Sequence, residues 1–410
     1  MCKELANIEH CKKTVSIISV ITILYGFNMN INEIKTYFPG KSYSTPELEK
    51  LLAPQDNELS EVMVKLGGKH FVDEIKSGEH FFENLGVSHR NILCTPEAPL
   101  DWWMEHSGND VIALQGATAY DKLMLNQEPL REMDRLILVA NVTDTTAPHI
   151  GYSVISHLQK RHEGFIRPSV IALTGEGCSG FISGLREADL YLYKYPQARV
   201  VVLTVEMMAT PLLNPWLQRE LIAYSKTASP EQVAGLSSKL LGLAIQRYLF
   251  GEGCAAALCS NEPKGLNFST FHKWSNLDPN DIHLLEVMGL GTKTPPHLPP
   301  MGFFYQQPHK LVARLLHNYL PKVLTVLSQM NLSDYNMAIH TGSSKILDNI
   351  KQVLDLPESQ ISPSRSVLNN YGNMNATTGA TILANLMETS PYKPTLALFF
   401  GLGFALQLAY

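Results

Sequence analysis

The sequence of 410 residues lacks the patterns that mark zinc-binding, disulfide-stabilised and nucleic-acid-binding proteins. Its six cysteines are irregularly spaced, without a pair of CxxC motifs, so neither a metal site nor a disulfide framework is predicted. No basic run interrupts its mild acidity, since 33 Lys and Arg stand against 38 Asp and Glu. Nucleic-acid binding is therefore disfavoured, and we expect free thiols, no metal and a cytoplasmic protein.

Apolar runs long enough to cross a membrane are also missing. The one stretch that imitates a signal peptide runs from Val15 to Phe27, behind Lys12 and Lys13. It is rich in β-branched residues, lacks a small-x-small cleavage site and is far shorter than the ~20 residues of a membrane helix. We predict a buried first strand at 15–25 and no membrane insertion.

The sequence does contain an alternation of short apolar runs and helical patterns. Hydrophobic residues make up 45% of the chain, which suits a compact protein of two domains. Strands are predicted at 15–25, 136–140, 170–173, 200–205 and 395–400, and helices at 58–66, 148–160, 180–194, 231–249 and 308–329. This alternation is typical of an α/β fold with central strands covered by helices. A polar stretch near 261–265 places the domain boundary between residues 264 and 265.

One cysteine differs from the others in its surroundings. Cys178 lies in Thr174-Gly-Glu-Gly-Cys-Ser-Gly180, between a predicted strand and a predicted helix. A thiolate there would face the positive end of the helix dipole, which should lower its pKa, and the backbone N–H could stabilise an oxyanion. A free cysteine is more commonly a small core residue, and we assign that role to Cys94, Cys254 and Cys259.

Two further turns of small residues follow along the chain. His340 lies in Met337-Ala-Ile-His-Thr-Gly-Ser-Ser344, where an apolar strand passes into a helix. Asn373 lies in Asn370-Tyr-Gly-Asn-Met-Asn-Ala376, also before a helix. Alone, a histidine is more often structural, and an asparagine after glycine is commonly a turn or cap. Three such turns in the order Cys, His, Asn favour a catalytic set.

At these turns the sequence resembles the condensing enzymes of the thiolase superfamily, especially type III polyketide synthases of the chalcone synthase kind and β-ketoacyl-ACP synthases III. The strongest likenesses are Tyr371-Gly-Asn-Met-Asn-Ala-Thr377 to the YGNMSSA-type motif, His340-Thr-Gly-Ser-Ser-Lys-Ile-Leu347 to HPGGxxIL, and Thr174-Gly-Glu-Gly-Cys178 to TGxGC. Supporting likenesses are 251–257 to the GDGAAA turn, 86–90 to GIxxR, and 401–404 to the C-terminal GFGPG loop.

The resemblance implies a thiolase-like, five-layered αβαβα fold of two similar halves, assembled as a homodimer. Residues 1–264 would carry the nucleophile Cys178, and residues 265–410 would carry His340 and Asn373. The cysteine would accept an acyl group as a thioester, while the histidine and asparagine hold the carbonyl of an extender as its carboxylate leaves. The resulting enolate would attack the acyl-cysteine. The resemblance further implies a cavity or oxyanion site lined by Phe304, Gly401 and Gly403.

The implied substrates are an acyl thioester and a malonyl-type thioester, without a tightly bound cofactor. Glu79-His-Phe-Phe-Glu-Asn-Leu85 is apolar and acidic where such polyketide synthases often carry Lys and Arg for coenzyme A phosphates. An acyl carrier protein would also need basic residues near the tunnel mouth, for which Lys310 and Arg314 are candidates. The sequence leaves the choice between the two donors open.

Three other functions share parts of this pattern. Papain-like proteases use Cys, His and Asn in the same order, but secretion and disulfide signals are missing here and a strand-rich segment precedes the cysteine. A thiolase-fold acyltransferase would form an ester, amide or C–C bond without decarboxylation, and the presence of both His340 and Asn373 favours condensation over it. A non-catalytic partner subunit of a heterodimer has no need of all three turns.

Overall fold

The computed structural model describes residues 29–53, 57, 85–94, 97–98, 102, 105, 108–141, 149–162, 168–213, 223, 245–288, 303–306 and 308–410. The predicted strand at 15–25, the predicted helix at 58–66 and most of the predicted helix at 231–249 lie outside the described residues. Cys2, Cys11 and the segment 79–84 also lie outside them.

A six-stranded sheet carries the elements that precede Cys178. Its strands are β1 Met29–Tyr37, β4 Arg135–Val139, β5 Ser169–Leu173, β6 Val200–Met207, β7 Glu252–Ser260 and β8 Leu266–Phe268, in the order β5-β4-β6-β7-β1-β8. Strand β4 is parallel to β5 and β6, whereas β7 is antiparallel to β6 and β1. All residues of β6 and β7 are buried, as expected for central strands covered on both faces. The predicted strands at 136–140, 170–173 and 200–205 are confirmed.

A four-stranded sheet carries the elements around His340. Its strands are β9 Phe271–Trp274, β12 Asn336–Ile339, β13 Thr395–Gly401 and β14 Ala405–Ala409, in the order β12-β13-β14-β9. The predicted strand at 395–400 is confirmed. The chain passes from the first sheet to the second between Phe268 and Phe271. A division between residues 264 and 265 stays a prediction.

Two smaller sheets and a set of helices account for most of the remaining described elements. The small sheets pair β2 Lys41–Ser44 with β3 His89–Ile92, and β10 Leu285–Met288 with β11 Phe303–Gln306. The helices are α1 Asn109–Met124, α2 Ile150–Arg161, α3 Gly180–Lys194, α4 Ala209–Leu213, α5 Pro308–Arg314, α6 Leu320–Leu327, α7 Ser344–Val353, α8 Glu358–Tyr371 and α9 Ala376–Thr389. The predictions at 148–160 and 180–194 are confirmed by α2 and α3. The helix predicted at 308–329 is interrupted by a π-helical turn, Leu315–Tyr319.

The hydrophobic core places helices and sheets in alternating layers. Helices α1 and α2 pack on one face of the six-stranded sheet. Helices α3 and α9 lie between the two large sheets, with buried residues of both sheets around them. Helices α5 to α8 pack with the other face of the four-stranded sheet. None of the helices in the described part of the chain is both long and apolar enough to cross a membrane.

Candidate active site

The turn at Cys178 joins strand β5 to helix α3. It includes a single 3₁₀ turn, Gly177–Ser179, and Gly177 has a φ of +58°, a conformation that favours glycine. The side chain of Cys178 is buried, with 8% of the residue exposed. The predicted position of the cysteine, at the start of a helix between two sheets, is confirmed.

His340 follows the last residue of β12 and precedes α7. Its backbone N–H donates to the carbonyl of Leu398 at 2.9 Å, and its ring packs edge-on against Phe400, with 4.1 Å between the ring centroids. The residue is 2% exposed, and Nδ1 has no hydrogen-bond partner among the described residues. Aromatic packing and the backbone bond therefore hold this imidazole.

Asn373 lies between α8 and α9, directly after Gly372, whose φ is +68°. Its Oδ1 accepts the backbone N–H of Asn375 at 2.9 Å and the hydroxyl of Thr378 at 3.4 Å. Because Oδ1 is occupied, the amide orientation is fixed and Nδ2 is the side that remains to donate. Both Nδ2 and Oδ1 lie 3.7 Å from Sγ of Cys178.

The structure brings two of the three turns into contact, and an intervening residue, Phe400, links the third to them. Cys178 and Asn373 are in direct contact across 195 positions of sequence. His340 is linked to the Cys178 turn indirectly. Its ring packs on Phe400, and the next residue, Gly401, lies against the Cys178 turn. A Cβ atom built on Gly401 would lie only 2.0 Å from the carbonyl oxygen of Glu176.

The remaining predicted cavity residues have different surroundings. Gly403, with a φ of +63°, has open space where a Cβ atom would lie. The backbone of Phe304 is in β11, and its side chain is outside the described set. The cavity roles of Phe304, Gly401 and Gly403 stay predictions.

Burial sets the resting protonation of the cysteine and the histidine. It raises the pKa of the Cys178 thiol to about 12, against a smaller lowering by the hydrogen bond to Asn373. It lowers the pKa of His340 to about 3, since a buried imidazolium lacks solvation. The lowered thiol pKa expected from the helix dipole is therefore wrong for the resting protein, because desolvation outweighs the favourable contacts. Thiol and imidazole are both neutral.

Alkylation of Cys178 by iodoacetamide is expected to accelerate about tenfold for each pH unit from about 7 to 9.5. Only the thiolate reacts, and a thiol of pKa about 12 is protonated over this whole range. The rate is measured by mass spectrometry of the Cys178 peptide. A rate that is constant between about pH 6 and 8 would instead indicate a thiolate–imidazolium pair.

Iodoacetamide should label Cys178 selectively, because it has better access to Cys178 than to the other buried cysteines. Those cysteines serve as internal controls. Cys94, Cys254 and Cys259 are 0% exposed and also have raised pKa values, whereas Cys178 is 8% exposed. Equal labelling of Cys94 or Cys254 would contradict the assignment of Cys178 as the accessible nucleophile.

A buried glutamate that no sequence motif indicates is hydrogen-bonded, directly or through an asparagine, to two of the three turns. Glu206, at 0% exposure, accepts hydrogen bonds from the side-chain amides of Asn141 and Asn375, and Asn141 Oδ1 accepts the N–H of Gly177 at 2.9 Å. Burial raises the pKa of Glu206 to about 8. Its signal in the sequence is a lone acid within an otherwise apolar strand, which requires polar partners.

The site has a buried thiol beside the amide of Asn373, with the neutral imidazole of His340 packed on Phe400. Within the part of the chain that the structure describes, no group of three or more His, Cys, Asp or Glu side chains could hold a metal ion. A buried sulfur with an amide donor can accept an acyl group, and the amide N–H and imidazole can stabilise an oxygen that gains negative charge.

Comparisons with known proteins agree with this architecture. A fungal type III polyketide synthase, ORAS, matches with a TM-score of 0.67, covering 93% of this chain and 98% of that chain at 17% identity. CsyB, solved with CoA-SH, matches with a TM-score of 0.68 over the same shares at 16% identity. The fold is that of the type III polyketide synthases. The predicted resemblance and thiolase-like fold are thereby confirmed.

Sequence comparisons point to the same group. Residues 302–409 match the family model of the C-terminal domain of chalcone and stilbene synthases. Type III polyketide synthase B of Arabidopsis thaliana is 25% identical over 225 residues, which are 52% of this chain and 49% of that protein. The chain spans about half the length of the curated relatives it matches.

Proposed function

We propose that this protein is a condensing enzyme of the type III polyketide synthase kind, with Cys178, His340 and Asn373 as catalytic residues. The observation that supports this best is the fixed amide of Asn373, whose Nδ2 lies 3.7 Å from Sγ of Cys178. A nucleophile that only exchanges acyl groups needs no second donor beside it. Two donors beside a thiol suit a carbonyl oxygen that becomes an enolate.

The reaction begins with acylation of Cys178. The sulfur attacks the carbonyl carbon of an acyl thioester, the C–S bond of the donor breaks, and the donor thiol leaves with the proton of the cysteine. Because the resting thiol is protonated, a base must take this proton during attack. The neutral imidazole of His340 can accept it at a free ring nitrogen.

Condensation follows when a malonyl-type thioester enters. Loss of CO₂ breaks the bond between the carboxylate carbon and the methylene carbon, and the electron pair passes into the thioester as an enolate. Nδ2 of Asn373 and an N–H of His340 donate to the enolate oxygen. The enolate carbon then attacks the acyl carbon, the bond to Sγ breaks, and a β-keto thioester leaves.

Coenzyme A is the proposed carrier of both substrates, without a tightly bound cofactor. The structurally similar CsyB was solved with CoA-SH, which supports coenzyme A thioesters as donors. Arg314, a candidate for carrier-protein binding, pairs with Asp278 at 2.8 Å and with Asp281 at 3.1 Å. Its charge is therefore already matched within the chain.

A homodimer in the cytoplasm is the proposed state. Among the described residues, strand β5 is the edge of the six-stranded sheet, and all five of its residues are at least partly exposed. An open edge of this kind can pair with the same strand of a second copy. The free cysteines Cys94, Cys178, Cys254 and Cys259 are consistent with a reducing compartment.

Incubation with acyl-CoA libraries, with and without ¹⁴C-malonyl-CoA, tests the proposed function. We expect intact-mass spectrometry to find one acyl group on Cys178, and addition of the malonyl donor to release ¹⁴CO₂ and form a longer product. Acyl-carrier donors are assayed in parallel. Acyl transfer without CO₂ release from any donor would favour the acyltransferase function instead.

A further inference from the structure

The alignment of the three turns depends on how the Cys178 turn is attached to the four-stranded sheet. Cys178 follows a strand of the six-stranded sheet, whereas His340 follows a strand of the four-stranded sheet. A small slide of one sheet past the other would separate the sulfur from the groups that act with it. A contact across the two sheets beside Cys178 would prevent such a slide.

Glu176, two residues before the cysteine, makes that contact. Both oxygens of its carboxylate bind Nζ of Lys273 on β9, at 3.0 and 2.8 Å. The same carboxylate accepts from the hydroxyl of Ser183 at 3.0 Å and from the side-chain amide of Gln407 at 3.4 Å. Four hydrogen bonds from three residues therefore fix one side chain of the nucleophile turn.

The partners of Glu176 connect it to both layers. Ser183 belongs to α3, whereas Lys273 and Gln407 lie opposite each other on the paired strands β9 and β14. Gln407, 2% exposed, also donates to the hydroxyl of Ser183 at 2.8 Å and to the carbonyl of Ser179 at 3.4 Å. The cluster is a partly exposed polar junction, since the side chains of Lys273 and Glu176 are 29% and 27% exposed, and its satisfied groups restrict movement between the layers.

Close backbone contact on the same turn makes its placement sensitive. A Cβ atom on Gly177 would lie 2.7 Å from the backbone nitrogen of Leu402, and one on Gly401 would lie 2.5 Å from Oγ of Ser179. The two turns are in contact without room for a side chain. A displacement at Glu176 is therefore transmitted to Cys178.

We propose that Glu176 is a positioning residue, which through Lys273 and Gln407 holds the Cys178 turn against the sheet that carries His340. This inference rests on the proposed function for its kinetic consequence. Glu176 does not touch the sulfur, so it acts on the distance and angle between the sulfur and its partners. A misplacement of about 1 Å in such a site can slow a reaction by about 10²-fold.

The test compares Glu176→Ala, Glu176→Gln and Lys273→Met with the control Lys351→Met. The control removes an exposed ion pair, Lys351 with Glu358 at 2.7 Å, that lies on helices away from the nucleophile turn. For Glu176→Ala we expect kcat for condensation to fall at least about tenfold, with KM for malonyl-CoA changed less than about twofold. Glu176→Gln should recover most of the rate, because its amide oxygen still accepts from Lys273 and Ser183.

A second readout is independent of condensation. The rate of Cys178 alkylation should rise several-fold in Glu176→Ala, because a displaced turn exposes a thiol that burial keeps protonated. It should return to its original value in Glu176→Gln and stay unchanged in Lys351→Met. If the unaltered protein releases no CO₂, the proposed function fails. The alkylation rate of Cys178 would still show whether Glu176 positions the thiol. Unchanged alkylation and kcat in Glu176→Ala, or a lower unfolding midpoint with unchanged rates, would overturn the proposal. If Glu176→Ala does not fold, a lower kcat and a changed alkylation rate in Lys273→Met support the proposal, and unchanged rates there reject it.

Discussion

Replacement of Cys178 by alanine is expected to abolish acylation and product formation while the protein stays folded. The change removes the atom that forms the thioester, and loss of a nucleophile of this kind can lower kcat by on the order of 10⁶. Removal of one sulfur atom opens little space, so the midpoint of thermal unfolding should move by less than about 4 °C. Intact-mass spectrometry after incubation with acyl-CoA measures the acylation directly.

Cys259→Ala is the matched control for this substitution. Cys259 is also buried and free, but lies on the central strand β7 away from His340 and Asn373. It should still become acylated at Cys178 and form product. If Cys178→Ala kept measurable turnover, or if acyl mass appeared on another cysteine, the nucleophile assignment would be wrong.

Asn373→Ala is expected to separate acylation from decarboxylation. Acylation requires chiefly the sulfur, a proton acceptor and backbone N–H groups, all of which remain. Decarboxylation requires donors at the enolate oxygen, and loss of one of two such donors should slow CO₂ release by roughly 10²–10³. Single-turnover acylation followed by mass spectrometry, run beside release of ¹⁴CO₂ from malonyl-CoA, distinguishes the two steps.

Two further variants show whether the lost donor is the cause. Asn373→Asp keeps an oxygen for the N–H of Asn375 but replaces Nδ2, so it should lose decarboxylation to a similar extent. Asn370→Ala removes an exposed asparagine of the same motif and should change neither step. Normal CO₂ release from Asn373→Ala would refute the donor role of Asn373, whereas an unaltered protein that transfers acyl groups without releasing CO₂ would favour the acyltransferase function.

Local sequence patterns were sufficient for the elements that carry the catalytic turns. The apolar run at 200–205 and the helical pattern at 180–194 correspond to β6 and α3, because burial on both faces and helical periodicity are visible over short windows. The turns at Cys178, His340 and Asn373 were also found, since each follows a regular element and precedes a helix.

Elements whose structure depends on distant neighbours were missed. The sequence motif suggested a turn at 251–257, but Glu252–Ser260 is a long buried strand. Its alanines and glycine have weak strand propensity, and it is a strand because it pairs with β1 and β6 on either side. The terminal strand β14, Ala405–Ala409, was not among the predicted strands.

The polar support of the site was equally invisible in the sequence. Glu206 contacts Asn141 and Asn375, and Glu176 contacts Gln407, but these residues are separated by 65 to 231 positions. No short motif contains both members of such a pair. The direction of the thiol pKa was missed because the effect of the helix terminus is local, whereas desolvation depends on the whole fold.

The contact between Gly177 and the Gly401 turn constrains which substitutions the protein can accept. Gly403 has open space where a side chain would lie, so substitutions there should be accommodated in space, although its φ of +63° favours glycine. Any bulkier residue at Gly401, however, would push on the carbonyl of Glu176 and so move the nucleophile. Libraries of variants should therefore keep Gly401 and vary Gly403. Because the two turns are in contact, any larger change should be made in both of them together.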